Sequence, residues 1–241
     1  MHKEFSANPY GLYRWIFDHL PLEPNQRILE VGCGPGLLWV ENRERIPAGW
    51  RVILSDFSPG MVARALANID PLPREIGFCI LDAQRIPFAN ASFDVLLANF
   101  MIYHIPDRDM ALREFARVLR PGGRLFAATI GQDHLRELWD LLAGVDPRAD
   151  VSDGSRWFGL ENGETQLRPH FADIVIHRYD DALLVTEAEP LVEYALSMQR
   201  SSLIAERPDL LRQEVRRRIE REGVFHIRKD VGMFEAIRPA T

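Results

Sequence analysis

A chain of 241 residues, 46% hydrophobic and 27% charged, can bury a sizeable core and suits one α/β domain carrying insertions or a small cap. Its formal net charge of −6 offers no electrostatic footprint for a polyanion. Two cysteines, Cys33 and Cys79, do not make a disulfide framework, no apolar run is long enough to span a bilayer, and Met1–Phe5 has no apolar segment of the secretory kind, so a cytoplasmic setting is expected.

Residues 1 to about 22 read as a helical lead-in, with Tyr10, Tyr13, Trp15, Ile16 and Leu20 at roughly helical spacing and Pro21 and Pro24 as stops. Strands and helices then alternate. Arg27–Val31 is a strand, Leu37–Ile46 a short helix ended by Pro47, and Val52–Ser55 a strand. Pro59–Asn68 is a helix with Ser58 as N-cap, and Gly77–Leu81 and Phe93–Ala98 are strands. Arg108–Leu119 is a helix with Leu112, Phe115 and Leu119 on one face, closed by Pro121-Gly122-Gly123, and Arg124–Ile130 is the fifth strand. This alternation predicts a parallel sheet with right-handed crossovers. The near-continuous apolar character of the strands predicts cover on both faces.

The second half changes character. His134–Leu142 reads as a helix, 145–160 as a loop and Phe171–Tyr179 as a strand. Thr186 begins a helix to about Arg200, with Glu189 completing a capping box. Leu210–Glu222 is another helix, and Phe225–Ile227 with Val231–Ile237 form one strand broken near Gly232 or a hairpin. The helical material at 181–223 reads as a cap over the sheet.

The stretch Ile28–Gly36 carries the chemistry. An apolar strand ends in Glu30, and Gly32, Gly34 and Gly36 follow at alternate positions, a loop in which a ligand can lie against bare backbone. A dinucleotide fingerprint would need glycine at position 37, which is Leu37. Glu30, at the carboxyl end of the first strand, can anchor a cationic amine or simply be a polar strand end. Asp56, after the second strand, can accept two ribose hydroxyls, flanked by Phe57 and Met61, or can serve as a helix-start acid. Asp82-Ala83, after the third strand, can take an adenine edge or form a plain turn. Asn99 and Phe100 end the fourth strand, where Asn99 can meet a ligand or cap the loop.

Four sites at the ends of strands one to four, in order, resemble the class I S-adenosylmethionine-dependent methyltransferases, chiefly the ubiquinone/menaquinone-biosynthesis (methyltransferase type 11) subgroup. The resemblance rests on LEVGCGPG (29–36), LSDFSPGMVARA (54–65), LDAQRIPFANASFDVLLANFMIYHIPD (81–107) and LREFARVLRPGGRL (112–125), and covers residues 27–130. It implies a Rossmann-like, seven-stranded, mostly parallel sheet with an antiparallel last strand, helices on both faces and a helical cap insertion. It implies one methyltransferase domain over 1–241: a lead-in at 1–22, a cofactor core at 23–130, insertions with the sixth strand and cap at 131–223, and the last strand at 224–241. S-adenosylmethionine is the implied cofactor and S-adenosylhomocysteine its product. The implied contacts are Glu30, Gly32, Cys33, Gly34 and Gly36 for the methionine part, Asp56 with Phe57 and Met61 for the nucleoside, Asp82 and Ala83 for adenine, and Asn99 and Phe100 at the substrate edge.

The expected reaction is in-line transfer of a methyl group to a small organic acceptor, which needs alignment and exclusion of water. His104 is the candidate general base, with packing of its loop as the alternative; Tyr103 shapes the methyl site or packs the core. Tyr10, Tyr13, Trp157, Phe158, Tyr194 and Met198 are candidates for an apolar acceptor pocket, and Arg14 for the cofactor carboxylate or a solvated face. Asn99-Phe100-Met101-Ile102 departs from the Asn/Asp-Pro-Pro-Tyr box of many amino-group methyltransferases. Arg212, Arg216, Arg217, Arg218 and Arg221 are interleaved with Glu214, Glu220 and Glu222, the pattern of a solvated helix face, so nucleic acid is not the expected partner. The histidines lack metal-ligand spacing. The alternatives are an RNA or protein methyltransferase and a non-catalytic cofactor-binding module. An NAD-dependent oxidoreductase is disfavoured by Leu37.

Overall fold

The computed structural model describes residues 1–70, 75–147, 154–198 and 206–240. Its elements in chain order are α1 (Leu12–Asp18), β1 (Arg27–Val31), α2 (Leu37–Glu41), β2 (Arg51–Asp56), α3 (Pro59–Asn68), β3 (Ile76–Ile80), β4 (Phe93–Leu97), α4 (Arg108–Val118) and β5 (Leu119–Ile130). There follow α5 (Arg136–Val145), α6 (Ser155–Phe158), α7 (Gly163–Leu167), β6 (Ala172–Val185), α8 (Ala188–Met198), α9 (Pro208–Glu222) and β7 (Phe225–Ile237). The chain forms two compact units. The larger holds Leu12–Gly131, Gly154–Tyr179 and Gly232–Thr241; the smaller holds Met1–Gly11, Gln132–Asp153 and Asp180–Val231.

The seven strands lie in the order β3-β2-β1-β4-β5-β7-β6. The pairs β3/β2, β2/β1, β1/β4 and β4/β5 are parallel. The last strands are antiparallel: the Gly122 N–H donates to the Arg238 carbonyl at 3.0 Å, and the Arg238 N–H to that of Gly123 at 2.9 Å. Strand order reverses between β1 and β4, the switch point at which open α/β sheets bind ligands.

In the larger unit, alternate strand residues feed two apolar layers. Leu29, Val31, Leu96, Ala98, Leu125 and Ala127 pack with Leu112 and Phe115 of α4. Ile28, Val95, Leu97 and Phe126 pack with Phe17 of α1, Trp39 of α2 and Ala65 of α3. Both faces are therefore apolar, which explains strands without polar alternation. In the smaller unit, Leu138 and Leu142 of α5, Leu191 and Val192 of α8 and Leu211 and Val215 of α9 form a third cluster with Phe5 and Phe225. No helix among the described residues is long and apolar enough to cross a membrane.

The parallel core follows the sequence reading, including Ser58 as the cap of α3, whose hydroxyl accepts the Met61 N–H at 3.4 Å. Departures have local causes. The lead-in is not one helix, because Gly11 takes a φ of 88°; ahead of it the Leu184 N–H donates to the Phe5 carbonyl at 2.7 Å in a strand-like bridge. α2 stops at Glu41, where the Asn42 amide donates to the carbonyls of Leu38 and Tyr13 at 2.8 and 3.0 Å, and a 3-10 turn, Arg43–Arg45, follows. Pro121-Gly122-Gly123 does not end before a strand but lies within β5 as an irregularity, with the register jumping from Phe93↔Leu119 to Val95↔Arg124. α5 starts at Arg136 because Leu135 is left-handed. The loop expected at 145–160 contains α6, and its residues 148–153 lie outside the described residues. α7 was not foreseen.

β6 runs on to Val185, so Asp181–Val185 is strand and not cap helix. α8 begins at Ala188, which leaves Thr186 off the cap position; Glu189 instead accepts two bonds from Arg212 at 2.8 and 2.7 Å. The expected end of that helix near Arg200 lies outside the described residues. β7 is continuous, and Gly232 does not break it: a β-carbon there would sit 2.7 Å from the His177 carbonyl oxygen, so the glycine permits close backbone approach.

Candidate functional site

The loop from β1 into α2 uses its three glycines differently. All are left-handed, with φ of 71° at Gly32, 52° at Gly34 and 75° at Gly36. A β-carbon on Gly32 would lie 2.7 Å from Met101 Cβ, and one on Gly36 would lie 3.0 Å from Ile69 Cδ1. One on Gly34 would meet nothing within 4 Å. Gly32 and Gly36 thus make room for packing, and Gly34 leaves bare backbone on an open side.

Asp56, the last residue of β2, ties this loop to the next helix. Its Oδ2 accepts the Gly34 N–H at 2.9 Å and its Oδ1 the Ser58 N–H at 2.8 Å. The Cys33 N–H donates to the Ser55 carbonyl at 2.8 Å, and the Leu81 N–H donates to the Asp56 carbonyl at 3.2 Å, which draws the end of β3 alongside. Asp82 makes a tight turn there, its Oδ1 accepting the Gln84 N–H at 2.8 Å, and Ala83 is buried. Phe57 and Met61 are 75% and 39% exposed, so both present apolar surface to solvent beside Asp56.

Glu30 is the unusual group. It is 3% exposed, yet carries a carboxylate. Trp39 Nε1–H donates to Oε2 at 2.5 Å and Asn99 Nδ2–H to Oε1 at 3.1 Å, while the Ser55 hydroxyl donates to the Glu30 carbonyl at 2.7 Å. Burial pushes the Glu30 carboxyl up to about 7; the Trp39 and Asn99 donors pull it down, and the Asp56 charge pushes it up. Asn99 is 9% exposed and its Oδ1 has no partner. Two acceptors, one charged and one orphaned, therefore stand side by side at the β1/β4 switch point. Burial raises Tyr13 to about 12 with help from Glu30 and Glu41. Burial also raises the Cys33 thiol, which disfavours the nucleophilic thiolate.

Phe100, just past β4, holds a φ of 55°, and its N–H donates to the Ala128 carbonyl at 2.8 Å. A left-handed non-glycine residue costs about 1 kcal/mol or more, so β5 holds this strand end in a strained form. His104 closes a 3-10 turn, Ile102–His104, and is exposed. The rings of Tyr103 and His104 meet edge-on at 4.5 Å, and Tyr103 packs against the α4-side cluster.

The other sequence candidates divide. Glu30, Gly34, Asp56 and Asn99 are joined by the bonds above. Phe158 is fully buried against Phe234, at 5.8 Å between rings, and is a core residue, not a pocket wall. Trp157 is half exposed, with the Arg108 and Arg156 guanidinium groups 5.5 and 5.3 Å from its ring. Arg14 is exposed and lines a surface cavity of about 650 Å³ with Arg43, Glu44, Arg45 and Asp70. Tyr10, Tyr194 and Met198 belong to the smaller unit, where Tyr194 meets His2 edge-on at 4.7 Å. On α9, Arg212 pairs with Glu189 and Asp209, Arg217 with Glu214, and Arg218 and Arg221 with Glu222. Trp39 and Ser55 were missed from sequence. The one available signal for Trp39 was a tryptophan, with its polar tip, on a short apolar helix directly after the glycine loop.

Residues 29–127 match the family described as "Methyltransferase domain". A malonyl-[acyl-carrier protein] O-methyltransferase from Hahella chejuensis is 39% identical over 121 residues, 50% of this chain and 42% of that protein. The ubiquinone/menaquinone biosynthesis C-methyltransferase UbiE from Methylococcus capsulatus is 32% identical over 147 residues, 58% of this chain and 59% of that protein. The chain spans about half the length of these curated relatives. Among solved structures, the YcgJ protein from Bacillus subtilis shares the fold with a TM-score of 0.66 at 15% identity, over 94% of this chain and 97% of that one. Residues 29–127, which hold the glycine loop and the ends of β1 to β4, thus resemble the class I S-adenosylmethionine-dependent methyltransferases.

Proposed function

We propose that this protein transfers the methyl group of S-adenosylmethionine to a small organic acceptor. The observation that carries the reading is the pair of buried acceptors at the switch point: the Glu30 carboxylate held by two N–H donors, and the unpartnered Asn99 Oδ1. A buried carboxylate with a neighbouring orphan acceptor is costly unless a cation completes it, and the amino group of the cofactor is such a cation. The remaining residues fit the rest of it. Gly34 offers bare backbone to the methionine part, on a loop that Gly32, Cys33 and Gly36 pack in place. Asp56 keeps lone pairs for ribose hydroxyls beyond its two backbone bonds, and Phe57 and Met61 flank the base. Asp82 and Ala83 offer a carboxylate and an N–H to the adenine edge, and Phe100 closes the strand-four side.

Bound there, the cofactor supplies an electrophilic methyl group on a sulfonium, already a good leaving group. The protein's share is to hold the cofactor's two ends, align the acceptor and keep water out. Where the acceptor must lose a proton, we assign the base to exposed His104, steadied by the Tyr103 ring. A small organic acceptor is supported by two relatives, one named for malonyl-[acyl-carrier protein] and one for ubiquinone/menaquinone biosynthesis. The net charge of −6 and the carboxylate-paired arginines of α9 weigh against RNA. The free cysteines fit the reducing cytoplasm, where we place the protein.

The test is calorimetric titration with S-adenosylhomocysteine. Wild type binds, and Asp56→Ala weakens binding at least about tenfold, because the change removes both the ribose acceptor and the tie to Gly34. Unchanged affinity in Asp56→Ala sinks the site. Tight binding with no turnover on malonyl thioesters, phenols, quinone precursors, amines and fatty acids would instead favour a non-catalytic binding module.

A further inference from the structure

We infer that Trp39 is a positioning residue for the cofactor site: its indole N–H keeps the Glu30 carboxylate charged and aimed, and so governs how affinity for a cationic amine varies with pH. This rests on the cofactor reading proposed above.

Trp39 is fully buried, wedged edge-on against Phe17 at 6.5 Å and Trp50 at 6.4 Å between ring centres. That packing asks only for a large apolar ring. The indole adds one polar atom, and that atom points at the one buried carboxylate of the site, at 2.5 Å. A donor of this kind stabilises the ionised carboxylate far more than the protonated one. Asn99 gives a second, longer bond from β4 at 3.1 Å. Among the described residues no cation helps: the ionisable groups that interact with Glu30 are Asp56 of β2, Tyr13 of α1 and Cys33 of the loop, all of them acids. The Glu30 charge therefore depends on neutral N–H donors, of which Trp39 is the nearer. With Glu30 poised at about 7, a change in one donor moves its ionised fraction within the physiological range.

The experiment is calorimetric titration of the full chain with S-adenosylhomocysteine from about pH 5.5 to 8.5, for wild type, Trp39→Phe and Glu30→Gln. Wild-type affinity is expected to fall as pH drops through about 7. In Trp39→Phe the fall is expected about one pH unit higher, leaving binding at pH 7 several-fold to about tenfold weaker and nearly restored at the alkaline end. Glu30→Gln is expected to lose the pH dependence. A Trp39→Phe profile like that of wild type, or one lowered equally at every pH, overturns the inference. A second measurement needs no variant at position 39. In cofactor-free wild type, the Trp39 indole proton resonance is expected to titrate with the same midpoint as the Glu30 carboxyl carbon, and Glu30→Gln to abolish that titration. An indole resonance that ignores Glu30 overturns the inference. Absence of ligand binding by wild type overturns the cofactor reading and with it the role in affinity, while the indole titration still judges the Trp39–Glu30 coupling on its own.

Discussion

Glu30 predicts that the site costs the free protein stability, and that the cost depends on pH. An ordinary glutamate ionises at 4.5, and burial pushes this one to about 7. Between those values the folded protein holds a proton that the unfolded chain has released. Folding therefore loses stability as pH rises from about 4.5 to about 7 and recovers none of it above. At about 1.4 kcal/mol per pH unit the loss is about 3 kcal/mol, a large share of a domain's stability. Glu30→Gln removes the charge and keeps the shape. Its amide oxygen accepts from Trp39, and its NH₂ donates to the orphan Asn99 Oδ1 once the Asn99 amide turns over. Urea unfolding of cofactor-free wild type and Glu30→Gln, from pH 4 to 8.5, measures the difference, since other groups titrate alike in both. The variant is expected to match wild type near pH 4 and to exceed it by about 3 kcal/mol at pH 8. A gap that does not change with pH, or a variant less stable at pH 8, would refute the account of a strained, ionised Glu30.

Two further predictions concern other parts of the molecule. Gly34→Ala should cost about 1 kcal/mol of stability from its left-handed φ of 52°, yet should impair S-adenosylhomocysteine binding strongly, because the new methyl group enters the open side of the loop. Gly32→Ala should unfold more readily, by about 2–4 kcal/mol, because it adds overlap with Met101; urea midpoints in the reverse order would contradict the division of labour among the glycines. In the smaller unit, Asp181 pairs with Lys229 and accepts from the Ser6 hydroxyl at 2.8 Å and the Asn8 N–H at 3.0 Å, with the Asp181 side chain 0% and the Lys229 side chain 8% exposed. Asp181→Ala should cost about 3–5 kcal/mol and speed amide exchange at Asn8; unaltered exchange there would show that Asp181 does not hold residues 1–8.

What could be read from sequence was what backbone geometry imposes locally. Gly32, Gly34 and Gly36 announce their loop because side chains rarely take those φ values. Glu30, Asp56, Asp82 and Asn99 stand out as candidates because each sits at or just past the end of an apolar strand of a parallel sheet. Trp39 did not, since its role depends on how α2 rotates against β1. Pro121-Gly122-Gly123 reads as a boundary in the sequence because a turn and a bulge call for the same residues. In the fold Gly122 takes a φ of 72°, and a β-carbon on Gly123 would sit 3.1 Å from the Asp94 carbonyl oxygen. The end of β6 is hidden in the sequence because Asp180 and Asp181 look like loop; Asp181 is buried against Lys229, a pairing across 48 residues that no local pattern carries.

The two compact units are woven from alternating pieces of chain, six in all, so neither is a continuous stretch. No single cut can release either of them, and a protease nick at any of the three inner boundaries, near 131, 153 or 179, leaves both fragments holding parts of both. A tag or truncation at the amino terminus falls on the smaller unit and not on the glycine loop. Transplanting that loop with its supporting strands into another protein would mean moving Leu12–Gly131 together with Gly154–Tyr179 and Gly232–Thr241. For engineering, the unit of exchange is a set of three segments, and crossover points chosen by position along the sequence alone would cut through both bodies.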